Sequence, residues 1–128
     1  MRHPATRIVY SIKTEKGYET IYCHWNGYPE YMLPMLNNNY KSEELAKKLI
    51  SFGDASSISE RLEPIPGSIH NFDHPELGVC VFYKRDRGDE LTMAQVYPTK
   101  EDLLDTYYFV YIFEDGSWNC YQNDEDEY

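Results

Sequence analysis

The side chains best suited to chemistry fall in three stretches. Cys23-His24-Trp25-Asn26-Gly27-Tyr28-Pro29-Glu30 sets a thiol, an imidazole and an indole in a row. His70-Asn71-Phe72-Asp73-His74 adds two imidazoles and a carboxylate, with Cys80 just beyond. Zinc favours nitrogen and sulfur ligands, so a structural Zn2+ site drawn from Cys23 or His24, His70 or His74, and Cys80 is one expectation. Neighbours on a strand point to opposite faces, so Cys23 and His24 are not expected to ligate one ion together. In the competing reading the histidines hydrogen-bond to backbone and the cysteines pack as small hydrophobes.

The third stretch is Arg85-Asp86-Arg87-Gly88-Asp89-Glu90. Arg85 and Arg87 could form a fork for a phosphate or carboxylate, or they could spend their charge on local ion pairs. No glycine-rich phosphate loop, GxSxG elbow, HExxH pair or EF-hand spacing occurs. No catalytic residue is nominated, and binding is expected rather than catalysis. A metal-dependent hydrolase using His24, His70, Asp73 and His74 has no support from spacing. Three cysteines, an odd number spaced by 57 and 40 residues, suit reduced thiols better than a disulfide framework.

Charge is unevenly placed. Residues 1–100 hold 13 acids and 12 bases, whereas residues 101–128 hold nine acids and no Lys or Arg, so the net −10 lies almost wholly in the last 28 residues. Such a field repels nucleic acid and attracts basic surfaces, although it could also serve solubility alone. Tyr107, Tyr108, Tyr111 and Tyr121, with Trp118, crowd the same region, and tyrosine suits both sheet faces and protein interfaces.

The elements that must position these groups are readable in outline. Residues 7–13 and 19–25 alternate as strands of a hairpin. Pro34 is expected to break or kink a short helix over 30–40. Ser42, Glu43 and Glu44 open a second helix whose stripe is Leu45, Leu49, Ile50 and Phe52, stopped by Gly53. Residues 54–78 read as a long loop, 79–84 as a central strand, and 85–90 as an exposed turn. A weaker strand covers 92–97, and Thr99 with Asp102 caps a short helix. Asp115-Gly116 joins strands 107–114 and 117–122. The expected fold is α+β, a mostly antiparallel sheet with two or three helices packed on one face. Residues 1–122 form the domain and 123–128 an acidic tail. With no apolar run long enough to span a membrane and no secretion-like stretch at the start, a cytoplasmic protein is expected.

YCHWNGYPE resembles the CHWDGYPE motif of a family of small tailed-phage and prophage proteins. Residues 49–57 resemble its LIxxGDxSS segment, His70-Asn71-Phe72-Asp73 its HxFD, and CVFYKRDRGDE its CVFYxRDRGE. The resemblance spans about residues 7–115 in matching order. Asn26 stands where the family has Asp, and Pro34 interrupts a helix the family keeps. It implies a phage inhibitor of a bacterial defence nuclease, such as an anti-CRISPR protein binding a basic Cas9-type effector stoichiometrically. Glu114, Asp115, Asp124, Glu125, Asp126 and Glu127 would then dock, with Trp118 and Tyr121 as apolar anchors. An alternative is a sponge for a nucleotide signal, using Arg85 and Arg87 for phosphate and Trp25 and Tyr28 for stacking.

Overall fold

The computed structural model describes residues 8–24, 29–89, 93–107 and 109–122. The chain begins with strands β1 (Ile8–Thr14) and β2 (Gly17–Cys23), followed by helices α1 (Pro29–Asn39) and α2 (Glu43–Ser51). Then come β3 (Ala55–Ser57), a long loop, β4 (Val81–Phe82), α3 (Tyr83–Arg87) and β5 (Gln95–Tyr97). Helix α4 (Lys100–Thr106) and strands β6 (Phe109–Glu114) and β7 (Ser117–Gln122) complete the order. The strands make one sheet, β4-β3-β2-β1-β6-β7, with β5 also beside β2, and the fold is α+β. The pairings β1–β2, β2–β5, β3–β4 and β6–β7 are antiparallel; β1–β6 and β2–β3 are parallel.

Each hairpin follows from its turn residues. Asp115 and Gly116 both adopt positive φ, 54° and 86°, as a two-residue primed turn requires. Gly17 (φ 129°) ends the first turn, and a Cβ there would lie 2.8 Å from the Tyr97 carbonyl oxygen. Glycine thus lets β5 approach β2.

Period-two alternation gives the sheet two buried faces. Tyr10, Ile12, Ile21, Tyr111 and Phe113 face one way and meet Met32, Met35 and Leu36 of α1 and Ala46, Leu49 and Ile50 of α2. Val9, Val110 and Ile112 face the other way, where Leu103 of α4 covers them, ringed by Tyr18, Tyr97, Tyr107 and Tyr121. The expectation of helices on one face is corrected: α1 and α2 cover the first, and α4 covers the second because Val9, Val110 and Ile112 make that face apolar as well.

Three local expectations are corrected. Helix α1 runs through Pro34, because the bond proline removes would reach only the Glu30 carbonyl in the first turn, while Met32 and Leu36 stay fully buried on the sheet. In α2 the buried positions are Ala46, Leu49 and Ile50, and Leu45 is 39% exposed. Ser42 caps it as expected, accepting from the Leu45 N–H at 3.1 Å. Residues 79–84 supply a two-residue edge strand rather than a central one, and 83–87 turn into α3, stopped by Gly88 at φ 84°.

Strand β7 is a sheet edge, and α1 guards it. The Asn37 amide accepts from the Trp118 N–H at 2.8 Å and donates to its carbonyl at 3.3 Å, satisfying both groups that point away from β6. Among the described residues no helix is long and apolar enough to cross a membrane. Asn37→Ala would strand both Trp118 backbone groups, so urea denaturation should register a loss of about 1–3 kcal/mol.

Candidate functional site

The four segments singled out by resemblance meet at one edge of the sheet. Cys23 of β2 pairs with Ala55 of β3, and Ala55 pairs with Phe82 of β4. Asp54 Oδ1 accepts from the Tyr22 N–H at 2.8 Å, and its carbonyl accepts from the Tyr83 N–H at 3.2 Å. Phe72 packs on Tyr83, ring centroids 5.8 Å apart.

Asp86 is the node that closes this edge. Its carboxylate accepts from the Phe82 N–H at 2.8 Å and from Arg85 Nε and Nη2 at 3.0 and 3.1 Å. His70 Nε2 lies 3.3 Å from Asp86 Oδ2, and both side chains are buried. His70 Nδ1 accepts from the Glu76 N–H at 2.9 Å, so in the neutral ring the proton sits on Nε2, facing Asp86. Arg85 also donates to the carbonyls of Leu62 and Cys80, at 2.5 and 2.8 Å, and lies over the Phe52 and Phe82 rings. Burial alone would raise the Asp86 pKa. Hydrogen bonds from Arg85 and Phe82, with the charge of Arg85, outweigh burial and hold it below the ordinary value of 3.8.

A second carboxylate braces the long loop. Glu76 Oε1 accepts from Ser68 Oγ at 2.5 Å and from the Ile65 N–H at 3.2 Å, while Oε2 meets Arg61 at 3.2 Å. The Ser68 hydroxyl first, then Ile65 and Arg61, keep its pKa low against the opposing effect of desolvation. Two turns are tied together here: Ser68 N–H to Ile65 carbonyl over Gly67, and Val79 N–H to Glu76 carbonyl over Gly78. Both glycines have φ above 80°, which this kind of turn needs at its third position. Ordered as it is, the loop presents Ile65, Ile69 and Leu77 to solvent, Leu77 at 94% exposure.

Each of the five candidate zinc ligands has its own surroundings. Cys23 is buried, its sulfur 3.8 Å from the Ser56 carbonyl, whereas His24 is exposed with Nδ1 3.0 Å from the Tyr22 hydroxyl. Cys80 Sγ accepts from the Ser59 N–H at 3.2 Å and lies 3.5 Å from the Tyr40 hydroxyl; burial pushes its thiol pKa up. His70 is engaged at both nitrogens, and His74 stands exposed on the loop. Among the described residues no three His, Cys, Asp or Glu side chains are placed to hold a metal ion. All three cysteines are free thiols.

The arginine fork is not what the structure forms. Arg85 is spent on the edge, and Arg87 pairs with Asp89 while lying 4.6 and 4.8 Å over the Phe72 and Tyr83 rings. Trp118 is corrected from anchor to core. It is 2% exposed, and its Nε1–H donates to the Tyr40 carbonyl at 2.9 Å. Glu114 and Tyr121 bond each other and share Lys100, at 3.2 and 2.8 Å respectively, so they brace α4 against the hairpin. Asp115 is exposed at the turn tip. Trp25, Tyr28, Asp124, Glu125, Asp126 and Glu127 lie outside the described residues.

Glu101 and Asp105 of α4 were read only as part of a charge total, and Asp102 as the capping partner of Thr99. All three are exposed, and the last turn of α4 carries no basic residue. The available signal was a Thr-capped helix with three acids and only Lys100 to balance them. The chain matches no protein-family model, no curated protein and no solved structure.

The depressed pKa values of Asp86 and Glu76 set a pH dependence. Both fall below their unfolded values of about 3.9 and 4.3, so the bracing is complete above about pH 5 and is lost as pH falls through the folded-state values. Proteolysis of loop 58–79 should therefore accelerate in acid. Asp86→Ala should cost about 3 kcal/mol or more at pH 7 by leaving Arg85 and His70 without their shared carboxylate, and should flatten the acid limb of stability.

Proposed function

We propose that this chain is a stoichiometric binder of a basic, nucleic-acid-handling protein, and that it inhibits a Cas9-type defence effector by occupying the positive surface that holds guide and target. The observation that carries this reading is the exposed acidic side of α4. Asp105 lies in the last turn of that helix, where the macrodipole disfavours a negative charge, and Glu101 sits four residues before it as a like-charge neighbour. The Asp105 placement costs the helix stability, whereas Glu101, in the first turn, is favoured by the same dipole. An acid retained in the last turn is explained if the negative surface is itself useful.

Asp115 adds an exposed acid at the hairpin tip, and the acids of 124–127 follow β7 in sequence. Glu114 belongs to the brace with Lys100 and contributes by fixing α4 in place. A field of this sign speeds encounter with a basic groove and repels nucleic acid. The resemblance to phage proteins supports the choice of a defence effector among basic partners.

The test is a binding series against purified Cas9-type effector at several ionic strengths. Glu101→Gln combined with Asp105→Asn should weaken binding roughly tenfold at low salt, with the difference shrinking as salt screens the field. The melting temperature should stay nearly level, because the unfavourable last-turn charge of Asp105 and the favourable first-turn charge of Glu101 are removed together. Affinity that is indifferent to both substitution and salt would reject the electrostatic mechanism.

A further inference from the structure

The outer edge of β2 is divided between two partners. Tyr18, Glu19 and Thr20 pair with β5, whereas Cys23 pairs with β3, and Asp54 spans the gap by taking the Tyr22 N–H. On the second face of the sheet this division opens a cleft of about 230 Å³, lined by Asp54, Tyr22, Gln95, Tyr97 and Tyr107 among others. The Tyr97 and Tyr107 hydroxyls touch at 2.5 Å with their rings edge to face, 5.9 Å between centroids. The Asp54 carboxylate lines this cleft, and its Oδ2 takes no hydrogen bond from the described residues.

We propose that this cleft is a receptor for an arginine side chain of a protein partner. The inference deepens the reading of a basic partner and rests on it. A guanidinium is planar, carries five donors and stacks on aromatic rings. The cleft offers a carboxylate oxygen, tyrosine hydroxyls and a glutamine carbonyl as acceptors, with tyrosine rings on more than one side. Its volume is below the roughly 300–1,000 Å³ of pockets for drug-sized ligands, which suits one side-chain head. A divalent cation would find only one carboxylate, too few hard oxygen ligands for calcium. An anion would meet the Asp54 charge. Burial raises the Asp54 pKa against the lowering effect of the Tyr22 N–H, so its charged form is under-solvated and gains from an incoming cation.

Asp54→Asn is the informative substitution, since the amide oxygen still accepts from the Tyr22 N–H while the charge is gone. The probe is N-acetyl-arginine methylamide, titrated into the 15N-labelled protein. The expected result is saturable shifts at the amides of Tyr22, Asp54 and Gln95. They should weaken about tenfold in Asp54→Asn, the loss of a charge-assisted bond, and also weaken in Tyr97→Phe. Shifts that spread over the acids of α4 without saturating, or that persist unchanged in Asp54→Asn, would overturn the proposal. So would stronger binding of guanosine than of the arginine probe. The titration needs no partner protein. If the α4 substitutions leave effector affinity unchanged while this titration succeeds, the acidic docking surface fails and the arginine receptor stands.

Discussion

The carboxylate of Asp86 gathers three parts of the chain that would otherwise diverge. It takes the Phe82 N–H as β4 ends, the guanidinium of Arg85 and the Nε2 side of His70, sixteen residues earlier. Arg85 then reaches the carbonyls of Leu62 and Cys80, and His70 reaches the Glu76 N–H. A buried ion pair earns little unless its remaining donors and acceptors are satisfied, and here they are. Without this node β3 and β4, with three and two residues, would have little to hold them at the sheet edge.

That edge matters because it fixes where β3 meets β2, and so where β2 is left to β5. A parallel neighbour at one end and an antiparallel neighbour at the other cannot continue into each other. Asp54 fills the junction with a side chain in place of a ladder bond. The cleft on the second face is the geometric result. The same face carries α4, braced by Lys100 to Glu114 and Tyr121, so the exposed acids and the cleft lie on the side away from α1 and α2.

Parts of this arrangement were readable because local chemistry decided them. Asp115-Gly116 determined the last hairpin, and Ser42 and Thr99 marked two helix starts that the structure keeps. Other parts depended on distant partners. Trp118 could not be known to be buried without Asn37 and Tyr40, about eighty residues away. Residues 83–87 looked like the end of a strand and a polar turn, because nothing local shows that Asp86 will fold back onto the Phe82 N–H. Arg85 and His70 carried the right chemistry for a ligand site, but long-range contacts commit them to structure. Asp54 stood out only as part of a resembling segment after a helix stop, because its structural role depends on the split edge of β2.

The proposed binding surfaces, the acids of α4 and the Asp54 cleft, both belong to the second face, with the first face and the Asp86 edge as support. Hydrogen exchange of the free chain and of its complex with a Cas9-type effector tests this most directly. Added protection should concentrate in α4 and in the amides around Tyr22, Asp54 and Gln95, with α1 and α2 unchanged. Protection confined to α1, α2 or the tips at Ile65 and Leu77 would contradict it.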